Sequence, residues 1–120
     1  MSEYRMERVG RLIQEKIGAL IVEGRIKDPR VDPFLSVTRV QVSRDLSYAD
    51  VYVSSYKSDE GLKKGVAGLQ SAAGFIQAQL GSQMHTRQTP KLRFHEDESI
   101  KAGFDMVQKL GDLESEEHRQ

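Results

Sequence analysis

Cysteine, long apolar runs and, in one stretch, acidic residues are missing from this 120-residue chain. Without cysteine the chain has no disulfide bond and no thiolate metal site. No apolar run approaches the roughly 20 residues that a membrane-spanning helix needs, and the first residues do not resemble a signal peptide. At this length we expect one domain with a single core, in the cytoplasm and without a membrane partner.

Acidic residues are missing between Gly61 and His95, although the whole chain has 18 acidic and 18 basic side chains. That stretch carries a charge of +5, and the residues after it carry an acidic excess. Such asymmetry within a neutral chain predicts a surface that faces a polyanion, followed by an acidic tail. The basic residues of the stretch are Lys63, Lys64, Arg87, Lys91 and Arg93.

Apolar residues at helical spacing predict an amphipathic first helix over 3–23, ended by Gly24. Arg5, Arg8 and Arg11 lie three apart on its polar side. They form either a solvated face or an edge that contacts phosphates, since the forked guanidinium suits phosphate oxygens.

Three segments have the alternation of β-strands. The segment 35–42 alternates imperfectly, which predicts a bulge or burial on both faces. The segment 48–54 forms an antiparallel hairpin with it. The segment 91–95 alternates without interruption, which predicts Leu92 and Phe94 inward and Lys91, Arg93 and His95 outward. On the outward side of the second strand, Tyr48 and Tyr52 are expected to pair across strands rather than to stack on RNA bases.

Two helical patterns meet at Ala72-Ala73-Gly74. They predict helices over 58–73 and 74–85 that are joined at a bend, with Ser58 as the N-cap. The small side chains of the bend either only allow helices to pack or let another backbone approach closely. One buried stripe runs through both helices, at Leu62, Val66, Leu69, Ala73, Ile76 and Leu80.

A second glycine pattern, Gly65-Val66-Ala67-Gly68, matches the Gly-x-x-Gly loop with which KH domains clamp nucleic acid. Val66 lies on the buried stripe and Leu69 follows in phase, so we place this pattern inside the first helix of the pair. It is therefore not expected to be the functional loop.

The last periodic segment, with apolar residues from Ile100 to Leu110, predicts a C-terminal helix ending near Gly111. The domain then covers 1–111 and is followed by an acidic tail over 112–120. The element order predicts an α+β, type II KH-like fold, in which helices cover one face of a three-stranded sheet.

Several separated motifs together resemble the ribosome-binding factor A family. The resemblance runs from Met6 to Gly111, and Ala72 and Gly74 fit the Ala-x-Gly kink that replaces the KH glycine loop in that family. It rests on Lys27-Asp28-Pro29-Arg30-Val31, on the hairpin sequence from Val40 to Ser54, on Ala72-Ala73-Gly74-Phe75-Ile76 and on Thr89-Pro90-Lys91-Leu92-Arg93-Phe94. The turn lengthened by Asp32-Pro33-Phe34 and the lack of a basic C-terminal extension depart from the family pattern.

The resemblance implies a non-catalytic, cofactor-free assembly factor. Its partners would be the free immature 30S subunit and 16S rRNA, whose late maturation it would assist, notably in the cold. A monomer is expected. The expected RNA-binding residues are the small residues of the bend and the basic side chains: Ala72, Ala73, Gly74, Lys63, Lys64, Arg87, Lys91, Arg93, Arg5, Arg8 and Arg11.

Three alternative functions differ from this one in what they require of the sequence. A protein-docking module acting through the acidic C-terminal helix would bind without the salt dependence of phosphate contacts. An enzyme is disfavoured because His85, His95 and His118 are too far apart for a short metal motif. A DNA-binding helix-turn-helix is disfavoured because the second helix of the pair has no Arg or Lys before His85.

Overall fold

The computed structural model describes residues 3–84 and 88–97. The predicted α+β class is confirmed, with three helices and a three-stranded sheet. Arg87, the predicted C-terminal helix and the acidic tail lie outside the described residues. The elements in order are α1 (Glu3–Val22), β1 (Leu35–Val42), β2 (Tyr48–Ser55), α2 (Asp59–Ser71), α3 (Ala73–Gln83) and β3 (Lys91–Glu96).

The sheet has the strand order β1-β2-β3. β1 and β2 form the predicted antiparallel hairpin, whereas β3 runs parallel to β2 because α2 and α3 form the connection between them. The predicted bulge is at Thr38, since Val37 pairs with Val53 and the next paired residue, Arg39, is opposite Tyr52.

The core lies between the helices and one face of the sheet. α1 packs mainly against β1, while α2 and α3 pack against β3. No helix within 3–84 and 88–97 is long and apolar enough to cross a bilayer. The largest side chains with almost no exposed area are Ile13, Ile17, Leu69, Ile76, Leu80, Val51 and Val53.

The outward side chains of the three strands point away from this core. Strand alternation sends Leu92 and Phe94 into the core and Lys91 and Arg93 to the other side. We call this second side the open face, because no helix within 3–84 and 88–97 packs against it. Its side chains are those of Arg39, Gln41, Tyr48, Asp50, Tyr52, Lys91, Arg93 and His95.

The predicted helix ends have the expected hydrogen bonds. Gly24 has a positive φ of 66° and donates to the Ile21 carbonyl, while the Arg25 N–H donates to the Leu20 carbonyl. This is the Schellman arrangement that ends a helix at glycine. At the start of α2, the Ser58 hydroxyl accepts a hydrogen bond from the Gly61 N–H at 3.0 Å.

The bend between α2 and α3 lies at Ala72, not at Gly74. The Ala72 N–H donates to both the Gly68 and the Leu69 carbonyls, which tightens the last turn of α2. The Ile76 N–H then donates to the Ala72 carbonyl and starts α3. The bend thus lies at the first residue of the predicted stretch Ala72-Ala73-Gly74, and α3 begins one residue earlier than predicted, so Gly74 lies in its first turn.

Gly65 and Gly68 are buried where α2 meets the rest of the domain, whereas Val66, predicted on the buried stripe, is only half-buried. A Cβ at position 65 would lie 2.5 Å from Leu35 Cδ1. A Cβ at position 68 would lie 3.0 Å from atoms of Asp28, Arg30 and Val31. The Gly-x-x-Gly match thus lies inside a helix, as predicted, and allows close packing.

Alanine substitutions at Gly65 and Gly74 should change stability in opposite directions. Both gain up to about 1 kcal/mol of helix propensity. The methyl group at position 74 meets no atom within 4 Å, while that at position 65 meets the buried Leu35 side chain. Overpacking costs about 1–3 kcal/mol, so Gly65→Ala should be less stable than Gly74→Ala by about that amount in urea denaturation. Equal unfolding free energies would show that Leu35 moves aside freely.

Candidate functional site

The bend exposes backbone to solvent. Ala72 and Ala73 are half-buried and Gly74 is exposed, and a Cβ built on Gly74 has no neighbour within 4 Å. No side chain caps the N-terminus of α3. The positive end of the α3 dipole therefore points to a surface that another molecule can reach, which favours an anion.

A cleft of about 360 Å³ lies beside the bend. Phe75, at 43% exposure, presents an aromatic ring in it, and two basic side chains come from the loop that follows α1. Its lining residues are Arg25, Lys27, Asp28, Ser71, Ala72 and Phe75. Together, the bend and the cleft form one surface with bare backbone, two cations and an aromatic ring.

Arg30 connects the loop after α1 to the end of α2. Its guanidinium donates to the Asp28 carboxylate, with a shortest N–O distance of 2.8 Å, and to the Ser71 hydroxyl at 3.1 Å. Hydrogen bonds from the side chain and the backbone N–H of Arg30 lower the pKa of Asp28 from 3.8 to about 2. Asp28 is therefore ionised at neutral pH, and its charge is compensated by Arg30 rather than by Arg25 or Lys27.

The predicted cations of α1 and α2 lie on the outward sides of those helices. Lys63 and Lys64 are exposed on α2, and Lys64 forms an exposed ion pair with Glu60 at 3.3 Å. Such a pair is weak and leaves the lysine available to a phosphate. The three predicted arginines of α1 are also exposed: Arg5, Arg8 and Arg11.

Lys91 and Arg93 do not join these cations, because they lie on the open face, across the sheet from the helices. Arg93 donates from Nε and Nη2 to the Asp50 carboxylate at 3.0 and 3.2 Å. Hydrogen bonds from His95 and Arg93 outweigh the desolvation of Asp50 and lower the pKa of that carboxyl. The basic residues of the stretch between Gly61 and His95 thus lie on opposite sides of the domain.

Sequence reasoning missed the cations that line the cleft, Arg25 and Lys27, and the cleft residue Phe75. Arg25 lies outside the stretch without acidic residues, yet its guanidinium donates to Gln79 of α3 at 3.2 Å. The available signal was the resemblance itself, which includes Lys27 and Phe75 among its motif residues.

The fold and the site define a small α+β domain with an exposed, cation-lined helix bend. The structures that share this fold include an NMR structure and a fitted homology model. One is the solution NMR structure of a Thermotoga maritima protein named for ribosome binding factor A, with a TM-score of 0.69, 31% identity and coverage of 82% of this chain and 92% of that one. The other is a Thermus thermophilus ribosome binding factor A homology model fitted into a cryo-EM map of a 30S complex, with a TM-score of 0.53, 25% identity and coverage of 72% and 93%.

Sequence comparison gives the family. The family model of ribosome-binding factor A matches residues 5–110. The ribosome-binding factor A of Treponema denticola is 54% identical over 95% of this chain and 86% of its own length. That of Treponema pallidum is 47% identical over 96% and 91%. The chain therefore belongs to the ribosome-binding factor A family, which confirms the resemblance seen in the sequence.

Replacing Arg30 should raise the pKa of the Asp28 carboxyl. In Arg30→Gln we expect the pKa of Asp28 to rise from about 2 toward 3.8, since the side-chain hydrogen bonds that lower it are lost. Because the pKa of Asp28 is lowered in the folded protein, its ionised form stabilises the fold above pH 3.8 and loses that effect as the pH falls through about 2. NMR titration of carboxyl carbons measures both values.

Asp45 is the control, since hydrogen bonds from Ser47 and Ser43 lower its pKa to about 2 without Arg30. Its pKa should be the same in the wild type and in Arg30→Gln. An unchanged Asp28 pKa would show that Arg30 is not the main cause.

Proposed function

We propose that the chain is a non-catalytic, cytoplasmic assembly factor that binds the free, immature small ribosomal subunit through 16S rRNA. It assists late maturation of that rRNA, including at low temperature. The observation that carries the proposal is family membership over 5–110. It is supported by the fold shared with a Thermus thermophilus relative that was fitted into a map of a 30S complex.

The bend supplies the chemistry for an RNA backbone. In a type II KH-like arrangement, the junction of two helices receives phosphates, and here Ala72, Ala73 and Gly74 leave it bare. No side chain caps the start of α3, so the positive end of its helix dipole is open to a phosphate. Arg25 and Lys27 flank the same cleft and would neutralise neighbouring phosphates.

The remaining cations extend this contact. Lys63 and Lys64 on α2 would bind phosphates on the α2 side of the bend, and the arginines in the first half of α1 would bind phosphates further from it. Arg87, outside the described residues, remains a proposed phosphate contact. Lys91 and Arg93 would require a separate RNA segment, because they lie across the sheet. Phosphate contacts position a protein on RNA without reading its sequence, so the specificity of binding would come from RNA shape.

A protein without a catalytic group can act on assembly by binding one rRNA conformation better than another. The preferred conformation then becomes more populated, by at most the difference in binding free energy between the two. Release would follow once maturation removes the preferred conformation.

A charged side chain at the bend should disrupt binding but not the fold. Gly74→Glu extends from a position with no neighbour within 4 Å, and a carboxylate in the first turn of a helix is favourable. Repulsion from phosphate should lower its affinity for small subunits about tenfold or more. We would sediment cell extract through sucrose gradients at two salt concentrations and locate the wild type and the variant.

The matched control is Gln83→Glu, which makes an acidic substitution at the exposed far end of α3, about 13 Å away along the helix. It should sediment with small subunits like the wild type. A wild type that stays at the top of the gradient at both salt concentrations would contradict the proposed function. Equal sedimentation of Gly74→Glu and the wild type would remove the bend from the interface.

Charge reversal on α2 should change the salt dependence of binding. In Lys63→Glu and Lys64→Glu we expect weaker RNA binding, with the slope of log affinity against log salt smaller by about one for each lysine. Fluorescence anisotropy with a small-subunit rRNA fragment gives both quantities. Arg44→Glu makes the same change in the β1–β2 turn and should leave the slope unaltered. Equal slopes in all variants would exclude α2 from phosphate contact.

A further inference from the structure

The open face carries a stack built from all three strands. The Arg39 guanidinium lies 4.1 Å from the centre of the Tyr52 ring. The Tyr52 ring centre is 5.2 Å from that of His95, with the two planes inclined by 31°. His95 Nε2 is 2.8 Å from Asp50 Oδ1, which fixes the imidazole. We call Arg39, Tyr52 and His95 the open-face stack.

The two arginines of this face have different environments. Arg93 lies 4.5 Å over the Tyr48 ring, and its donors are bound to the Asp50 carboxylate. Arg39 is exposed and has no ion pair within 3–84 and 88–97. Its guanidinium lies over the Tyr52 ring and the side chain is exposed, so the group is positioned by the ring without being neutralised by a carboxylate.

The chemistry of the open face fits a nucleic acid better than a protein. Arg39, Lys91 and Arg93 outnumber the one carboxylate, Asp50, so the face attracts an anion. No aliphatic side chain is among its outward residues, whereas a protein interface needs a buried apolar centre. Planar guanidinium and aromatic groups are the usual platforms for unpaired bases.

We propose that the open face is a second RNA-contacting surface, which binds an unpaired RNA segment through the open-face stack. A base stacks on the exposed plane of the Arg39 guanidinium, and the N–H groups of Arg39 bind a phosphate. Lys91, the first residue of β3, lies about 13 Å from the level of this stack in the direction of the strands, and it binds a later phosphate of the same RNA segment. This rests on the proposed function for the identity of the partner, but it uses the side of the sheet opposite the bend.

The test compares Arg39→Gln with Arg44→Gln. Both remove one exposed arginine, but Arg44 lies in the β1–β2 turn. The probe is a fluorescent ten-nucleotide oligouridylate, with an RNA duplex of equal length as the second ligand. We expect Arg39→Gln to lose about tenfold in affinity for the single strand and less than twofold for the duplex. Arg44→Gln should lose less than twofold for both.

Arg39→Lys separates stacking from charge. Lysine retains the positive charge but has no planar group, so this variant should keep the wild-type salt slope while losing several-fold in affinity. Thermal melting of all variants checks the fold. Wild-type affinity of Arg39→Gln for the oligouridylate would overturn the proposal. So would equal losses in Arg39→Gln and Arg44→Gln.

Gly74→Glu, measured with the same probe and with small subunits, separates this proposal from the proposed function. If Gly74→Glu weakens binding and Arg39→Gln does not, the result supports RNA contact at the bend and overturns RNA contact at the open face. The reverse result supports the second surface and removes the bend. If Arg39→Gln weakens binding to small subunits but not to oligouridylate, the open face contacts ribosomal protein, and the proposal is overturned.

Discussion

The close contact of α2 with the segment before and at the start of β1 is the constraint on which the site depends. Gly65 and Gly68 bring the α2 backbone against Leu35 and the loop at 28–31, where a Cβ would lie within 3.0 Å of its neighbours. This approach lets Arg30 reach Ser71 and lets the loop form one wall of the cleft. The glycines that look like a nucleic-acid loop are therefore packing residues, and the bare backbone lies a few residues later, at the bend. Packing at the glycines and access at the bend are separate requirements on one helix pair.

Most of the fold follows from local patterns. Hydrophobic periodicity predicted the described helices and strands, and Gly24 and Ser58 marked helix ends because each makes its capping hydrogen bonds within a few residues. The imperfect alternation of β1 predicted the bulge that the structure places at Thr38. The exact break between α2 and α3 was not predictable in this way. It depends on a hydrogen bond shared between the Gly68 and Leu69 carbonyls, and not on the residue with the weakest helix propensity.

The site was less predictable than the fold because a surface collects residues that are distant in sequence. Counting charge along the chain grouped Lys63 with Arg93, but the sheet lies between them, and Asp50 is hydrogen-bonded to Arg93 from a different strand. The same count left out Arg25, which reaches Gln79 across 54 positions of sequence. Alternation did predict that Lys91, Arg93 and His95 point away from the core. It could not show that Tyr52 would hold Arg39 and His95 in one stack, because that depends on the register of three strands.

Two RNA-contacting surfaces on opposite sides of one sheet would change what the protein can do. To convert an rRNA conformation from about 1% to about 99% of the population, a factor must prefer it by about 10⁴-fold, or roughly 5.5 kcal/mol. A few phosphate contacts at the bend bind many RNA conformations almost equally. Binding that is equal for all conformations does not change their relative populations. A second surface on a rigid domain requires two RNA segments to lie at a fixed distance and in a fixed direction from each other. Only a conformation that presents one strand to the bend and another to the open face gains both contacts, and the second then forms at high effective concentration. The separation of the cations by the sheet would therefore provide the selectivity that a single basic patch lacks.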